Sequence, residues 1–129
     1  MSRSRLLSFI LLLAVTLPAC ARRETVDQAP ELTVVMAIVP SPPQPGSAVL
    51  IIQIMNENGI NPGDFTLDVR GDMSHAGMKP VIVEAVPGEA GAYSIPFEFS
   101  MAGDWLITLS AVLPDGRSLI RTYPIRVEP

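Results

Sequence analysis

A ten-residue stretch, GDMSHAGMKP (residues 71–80), carries the side chains best suited to chemistry. It contains the chain's one histidine, His75, flanked by Met73 and Met78. Thioethers are soft ligands that favour Cu(I), and imidazole binds copper in either oxidation state. A thioether also carries no proton, so its binding to a metal does not weaken through ligand protonation as the pH falls. The segment is therefore a candidate copper site, with Cu(I) favoured over Cu(II).

Two other interpretations of this segment compete with a metal site. One is a plain surface turn, in which the glycines supply the turn geometry and Met78 fills the edge of a core. The other is a catalytic group formed by Asp72, Ser74 and His75. Members of a triad face one another across a cleft, which neighbours on one turn rarely do, and nothing marks an oxyanion hole. We therefore expect no enzyme, while the plain turn stays open.

The rest of the chain after residue 30 must position these side chains, and its pattern is that of an all-β protein. Short β-rich runs alternate with clusters of Pro, Gly, Asn and Asp, which is typical of a sandwich. Seven antiparallel strands in about 100 residues match the size of an immunoglobulin-like β-sandwich. Pro96 cannot donate to a ladder, so its strand is expected at an edge or bulged. The expected strands are residues 31–39, 48–55, 65–70, 80–86, 92–99, 105–113 and 118–128.

Strand alternation adds a fourth candidate ligand, Met101. If all seven strands alternate in direction, the loops 40–47, 71–79 and 100–104 lie at one end of the sandwich. Met101 then lies at the same end as Met73, His75 and Met78. A carboxylate, that of Asp104 or Asp72, would accept a hydrogen bond from the imidazole. The remaining methionines of the domain, Met36 and Met55, are expected to be packing residues, and Trp105 a core anchor.

The N-terminus has the layout of a secretory signal. Residues 1–19 combine a basic start, a 12-residue apolar run from Leu6 to Leu17 and small residues. A membrane span needs about 20 apolar residues, so a permanent helix is the weaker interpretation. Leu17-Pro18-Ala19-Cys20 resembles the lipobox of bacterial lipoproteins, in which the cysteine is lipidated. We expect a signal peptide at 1–19, a lipidated tether at 20–30 and a β-sandwich domain at 31–129.

The net charge and the single cysteine limit which binding partners and crosslinks the chain can have. The chain has 9 Lys and Arg against 13 Asp and Glu, and loss of residues 1–19 removes two of the arginines, which leaves a net charge of −6. A negative net charge argues against nucleic acid as a binding partner. It also argues against electrostatic docking on anionic lipid, so a lipid on Cys20 would have to hold the protein at the membrane. A single cysteine excludes an internal disulfide.

Three motifs occur together and in order: GDMSHAGMKP, then GAYSIPFEFSMAGDWLITL, then PDGRS. Together they resemble the YtkA-like family, which is related in pattern to FixH-like proteins. The resemblance covers about residues 31–127. It implies an extracytoplasmic β-sandwich on a lipoprotein or a single-span anchor, associated with copper handling and sometimes with oxidase assembly or efflux. The matching positions are Met73, His75, Gly77, Met78, Gly91, Tyr93, Met101, Gly103 and Trp105.

Two functions follow as expectations. The first is a lipid-anchored extracytoplasmic domain that binds copper or hands it on through Met73, His75, Met78 and Met101. The alternative is a non-metal immunoglobulin-like interaction module, accessory to a membrane complex. Convergence of three sulfurs and one ring nitrogen would favour the first. Burial of Met73 and Met101 in the core would favour the second.

Overall fold

Alternating apolar side chains build two antiparallel sheets that face each other. The computed structural model describes residues 26–129. The sheets have the strand orders β1-β2-β5 and β4-β3-β6-β7, as expected for the sandwich predicted from the sequence. A short 3-10 turn, Glu89–Gly91, precedes β5. The strands are β1 (Thr33–Val39), β2 (Gly46–Met55), β3 (Leu67–Met73), β4 (Val81–Ala85), β5 (Tyr93–Phe99), β6 (Gly103–Val112) and β7 (Ser118–Val127).

Several predictions concern the N-terminus. The predicted signal peptide at 1–19, the lipidation site Cys20 and the tether up to residue 25 lie outside the described residues. Across residues 26–129, no helix has the length and apolar content needed to cross a membrane.

The core lies between the two sheets, and the buried side chains of the described residues bring two polar groups into it, the hydroxyl of Tyr93 and the indole N–H of Trp105. That hydroxyl donates a 2.7 Å hydrogen bond to the carbonyl oxygen of Phe65. Burial, together with the nearby charge of Asp64, raises the pKa of Tyr93 to about 12. The tyrosine therefore stays neutral and serves as a packing residue with one satisfied polar atom.

An aromatic cluster fills the other end of the core, below the loops that carry the candidate ligands. Trp105 packs edge-on against Phe99 and Phe97, with ring centroids 5.3 Å and 6.3 Å apart. The two phenylalanines are 5.0 Å apart and tilted. Such pairs add about 0.5–1.5 kcal/mol beyond the apolar area that they bury. Trp105 is thus the core anchor that the sequence predicts.

Two strand boundaries differ from prediction in a way that matters for the site. β3 begins at Leu67 and not at 65, and it continues to Met73, through the expected turn at Gly71. β6 begins at Gly103, two positions before the expected start at Trp105. β3 extends because it pairs with β6 as far as Met73 opposite Trp105. β6 starts early because Gly103 and Asp104 pair with Val127 and Arg126 of β7. Met73 therefore belongs to a strand and not to a loop.

The folded domain also begins before the predicted boundary at residue 31. The backbone N–H of Gln28 donates a 2.8 Å hydrogen bond to the carbonyl oxygen of Ser118 at the start of β7. The Asp27 carboxylate accepts hydrogen bonds from the backbone N–H of Ile120 and from the guanidinium of Arg121. We call residues 27–29 the N-terminal latch. The latch makes the last part of the expected tether a component of the domain.

Acid should weaken the latch. Burial raises the pKa of Asp27, but the backbone N–H groups of Ile120 and Ala29 and the charge of Arg121 outweigh it and lower the pKa below the ordinary 3.8. A carboxyl whose pKa is lower in the folded than in the unfolded protein contributes stability above the unfolded pKa and loses it as the pH falls through the folded value. Asp27→Asn should therefore lower the urea midpoint at pH 7, and the difference from wild type should shrink below about pH 4.

Urea unfolding at several pH values, followed by tryptophan fluorescence, checks this expectation. Glu57→Gln is the matched control, because Glu57 is exposed in a loop. A difference between wild type and Asp27→Asn that is the same at pH 7 and at about pH 3 would contradict a role for the Asp27 charge.

Candidate metal centre

Met73 lies where the core meets water. Leu67, Val69 and Gly71 precede it on the inward face of β3 and are buried, and Met73 is the last residue of this row. It is half-buried, packs against the core and lies opposite Trp105 in the β3–β6 pairing. Its thioether is therefore held by the core on one side and reachable at the rim on the other.

Gly71 keeps the aromatic cluster close to this rim. A Cβ atom added to Gly71 would lie only 2.5 Å from Cζ of Phe97 and 3.2 Å from Cδ1 of Ile107. Glycine is needed here because the phenylalanine ring occupies the space that a side chain would take. The close approach places the Phe97 ring directly against the core-facing side of β3, the strand that ends in Met73.

Met73 and His75 come together over Gly103. A Cβ atom built on Gly103 would lie 3.2 Å from Cε of Met73 and 3.9 Å from Cε1 of His75. Those two atoms are thus at most about 7 Å apart. No atom of Met78 or Met101 comes within 4 Å of the same point. The backbone of Gly103 has φ +134°, a conformation that favours glycine. Gly103 therefore forms a floor beneath both side chains, with the Met73 methyl carbon and one imidazole carbon each within 4 Å of its Cβ position.

The turn that carries His75 is tied to β6 by its backbone. The N–H of Ser74 donates a 3.1 Å hydrogen bond to the carbonyl oxygen of Asp104, which prolongs the β3–β6 pairing by one residue. His75 itself is exposed. Because the turn starts from a fixed point, the imidazole stays near Gly103 while its ring remains open to solvent.

The two carboxylates expected to orient His75 are engaged elsewhere. Asp72 accepts two hydrogen bonds from the guanidinium of Arg70, at 2.7 Å and 2.9 Å. Asp104 accepts one from Arg126 at 2.7 Å. Within the described part of the chain, no hydrogen bond joins His75 to either aspartate. The arginines reach these carboxylates because all four side chains lie on the outward face of the β4-β3-β6-β7 sheet.

Met101 and Met78 lie at the same end of the sandwich but outside this close pair. The indole N–H of Trp105 donates a 3.0 Å hydrogen bond to the carbonyl oxygen of Met101, which fixes its backbone. The Met101 side chain is 42% exposed, and Met78 in the turn after His75 is 41% exposed. Of the four candidate ligands, the structure thus brings Met73 and His75 close to Gly103 and leaves Met78 and Met101 farther from it.

Strand pairing confirms that the three loops share one end, as alternation predicts. Every neighbouring pair of strands is antiparallel. The N–H of Glu128, just after β7, donates a 2.9 Å hydrogen bond to the carbonyl oxygen of Pro43 in the first loop, while Gly103 pairs with Val127. Met55 pairs with Thr33 at the opposite end, and Met36 is half-buried in the middle of β1. Met36 is a packing methionine, as expected, whereas the packing role of Met55 stays a prediction.

The loops at the end that carries the candidate ligands have almost no charge. In these loops, residues 40–45, 74–80 and 100–102, the one residue that is charged at neutral pH is Lys79. The opposite end carries Glu57, Asp64, Glu89 and Asp115. In residues 26–129, no group of three or more His, Cys, Asp or Glu side chains is placed to hold a metal. The donors on offer are soft ones, which suits Cu(I) and does not suit Mg²⁺, Ca²⁺ or a structural Zn²⁺.

The sequence and fold can now be compared with those of known proteins. The model of the YtkA-like family matches residues 27–110, which is more than half of the chain. This chain belongs to the YtkA-like family. The match starts at Asp27, where the N-terminal latch begins, and it confirms the resemblance drawn from the Met/His loop and the Met-x-Gly-x-Trp step.

The fold is also similar to a solved structure, the PmoD soluble domain from a Methylocystis species (strain Rockwell). The two superpose with a TM-score of 0.52 over 74% of this chain and 90% of that chain, at 12% sequence identity. This likeness shows a shared fold. A comparison with curated protein sequences gives no match.

Three residues that shape the site were not assigned this role from the sequence. Gly71 admits the ring of Phe97, Gly103 forms the floor under Met73 and His75, and Ser74 ties the turn to β6. Gly103 has a positive φ. Its contact with the two ligand side chains depends on the register between β3 and β6, which the sequence does not reveal.

An alanine at position 103 should disturb the site through a specific contact. Its Cβ would lie 3.2 Å from the Met73 methyl group, and the backbone would be strained at φ +134°. We expect a loss of about 1–3 kcal/mol of stability. NMR signals of the Met73 methyl group and the His75 ring should shift as both side chains are displaced.

Gly116→Ala is the matched control, because Gly116 also has a positive φ but would meet no atom within 4 Å. Gly116→Ala should lose stability through backbone strain, but the NMR signals of Met73 and His75 should not shift. Equal losses of stability in the two variants, with unmoved Met73 and His75 signals, would show that the floor at Gly103 does not constrain the site.

Proposed function

We propose that this chain is a membrane-anchored, extracytoplasmic domain that binds Cu(I) through its Met/His end and hands it on. The observation that carries the proposal is the meeting of Met73 and His75 over Gly103. Membership of the YtkA-like family and the sandwich fold are consistent with an extracytoplasmic domain.

The chemistry of the donors fits copper as cargo. His75 would supply the one nitrogen donor and fix the metal's position, because its turn is held by the Ser74–Asp104 hydrogen bond. Met73 would supply a thioether from the rim of the core, and exposed Met78 and Met101 would complete the set. Thioether bonds to Cu(I) are individually weak and exchange readily. A set with one ligand held by the core and three exposed ligands suits a protein that takes up copper and releases it without a redox step.

Binding without catalysis is the role that the geometry supports. Asp72, which a Ser-His-Asp arrangement would need beside His75, instead holds the guanidinium of Arg70. Both residues lie on the outward face of β3, so the carboxylate does not orient the imidazole as a general base. We therefore propose a metal-binding domain and not an enzyme.

A non-metal interaction module is the second candidate function. The packing of Met73 against the core favours it, because a half-buried methionine has a structural reason to be there. The exposure of Met101 and Met78 favours copper instead, since neither side chain is needed to fill the core.

Copper affinity separates the two candidates. In an anaerobic competition titration with a Cu(I) chelator, His75→Ala should weaken binding more than Met73→Leu, Met78→Leu or Met101→Leu. A loss of one ligand worth about 1.4 kcal/mol lowers the affinity about tenfold. Met55→Leu is the matched control, because Met55 lies at the opposite end of the sandwich. It should bind copper as wild type does.

The unfolding midpoint of His75→Ala without metal should stay close to that of wild type, because the side chain is exposed. If wild type binds no Cu(I), or if all the variants bind it as Met55→Leu does, the four residues are not a copper site. The interaction module then becomes the better proposal.

Membrane attachment is proposed through a lipid on Cys20 after removal of residues 1–19. The family resemblance adds a membrane protein of oxidase assembly or copper efflux as the partner that exchanges copper. The support for the anchor is the Leu17-Pro18-Ala19-Cys20 sequence after an apolar run too short to span a bilayer.

Fatty-acid labelling in a bacterial host tests the anchor. Wild type should incorporate labelled fatty acid and fractionate with membranes, whereas Cys20→Ser should do neither. Incorporation of label in both proteins would place the lipid elsewhere, and absence of label from both would remove the anchor.

A further inference from the structure

Four strands lie at sheet edges, and three of them carry features that discourage pairing with another chain. β5 has Pro96 and β7 has Pro124, and proline cannot donate to a ladder. The N-terminal latch also covers the start of β7. β4 is only five residues long and contains Glu84.

β1 has none of these features. Its seven residues, TVVMAIV, contain no charge and no proline, and they pair with β2 in one unbroken register from Thr33 opposite Met55 to Val39 opposite Val49. Within residues 26–129, no backbone group outside β2 forms a hydrogen bond with this strand. A straight, apolar and unprotected edge is a template for another strand.

Pro96 indicates which backbone groups of β1 point outward. It lies opposite Val49 on β2, and its ring nitrogen, which has no hydrogen, belongs on the open side of β5. The N–H of Val49 then points towards β1, where Val49 and Val39 form a hydrogen-bonded pair. Alternation along β1 leaves the N–H and C=O groups of its even-numbered residues facing outward: Val34, Met36 and Ile38.

We propose that this edge pairs with β1 of a second copy of the chain, antiparallel and centred on Met36. Pairing about Met36 sets Val34 against Ile38 of the other copy and would form about six backbone hydrogen bonds. The remaining pairs set Val35 against Ala37 and Thr33 against Val39. Every cross-strand pair is uncharged and most are β-branched, a combination that stabilises neighbouring strands.

The strand's own composition selects a second copy as the occupant. No residue of the strand is charged, so an antiparallel pair of copies centred on Met36 sets apolar residues, and one threonine, against apolar residues with no charge meeting its like. The two three-stranded sheets would join into one six-stranded sheet. Their outer faces would then form one apolar strip, because Val35, Val39 and Ile51 are 50%, 53% and 43% exposed on this side of each copy.

A shallow groove beside β1 supports the same arrangement. It lies between β1 and β7, and its lining is mixed, with apolar side chains beside the polar Ser41 and Arg126. The half-buried side chains of Met36 and Ile38 face it. A second β1 strand would cover these side chains as well as the edge. The groove is lined by Met36, Ala37, Ile38, Ser41, Pro43, Pro124, Ile125 and Arg126.

Sedimentation equilibrium of residues 20–129 with Cys20→Ser tests the proposal without lipid. This chain includes both sheets and the core described above, so it should fold. We expect a concentration-dependent dimer over about 1 μM to 1 mM, as suits an interface smaller than the standard size. Val35→Lys should raise the dimer Kd about tenfold or more, since it brings two charges close together across the two-fold axis.

Ile51→Lys is the matched control, because Ile51 is on the same outer face but on β2, away from the edge. It should change the Kd much less. Hydrogen exchange supplies a second readout: the amides of Val34, Met36 and Ile38 should become protected as the concentration rises, and those of Val35 and Ala37 should be protected throughout.

Three outcomes would overturn the proposal. A chain that stays monomeric up to about 1 mM, with freely exchanging Val34, Met36 and Ile38 amides, would mean that no second copy pairs at the edge. Protection of those amides at every concentration in a monomer would show that the chain itself covers the edge. Equal effects of Val35→Lys and Ile51→Lys would indicate dimers that pack face to face.

Discussion

Apolar contact between two sheets holds this domain together. The chain has one cysteine and so no internal disulfide, and the described part buries no charged side chain. The end that carries the candidate ligands therefore depends on the packing of Trp105 with Phe97 and Phe99. Trp105 links this packing to the surface, because its indole also fixes the backbone of Met101. The loops at this end are positioned by the core itself.

This dependence explains why Met73 suits both packing and metal binding. As the last inward residue of β3, it continues the apolar row of the strand, yet its thioether reaches the rim beside His75. A methionine side chain is apolar enough to seal a core and is also a soft ligand. A cysteine at this place would be prone to oxidation outside the cytoplasm, and a carboxylate would be costly to bury. The position therefore admits few residue types other than methionine if it is to do both.

Periodicity was enough to predict the sandwich, the inward faces and the end at which each loop lies. Those features follow from alternation along single strands, as the row Tyr93, Ile95, Phe97 shows. The close approach of Met73 and His75 at Gly103 could not be predicted, because it depends on the register between two strands far apart in sequence. The latch was missed for a similar reason. Asp27 lies in a segment without periodicity, and its partners Ile120 and Arg121 are 93 and 94 residues away.

The exposure of Met78 and Met101 has a consequence for redox chemistry. An accessible thioether is readily oxidised to the sulfoxide, which is polar and presents a hard oxygen beside a blocked sulfur. Peroxide would therefore reach these two sulfurs first, while Met73 is partly shielded by the core. Oxidant would thus convert two of the three thioethers and spare Met73, and a methionine sulfoxide reductase could restore the other two. Under oxidative stress, the ability of this end to bind a soft metal would depend on how fast the methionine sulfoxides are reduced.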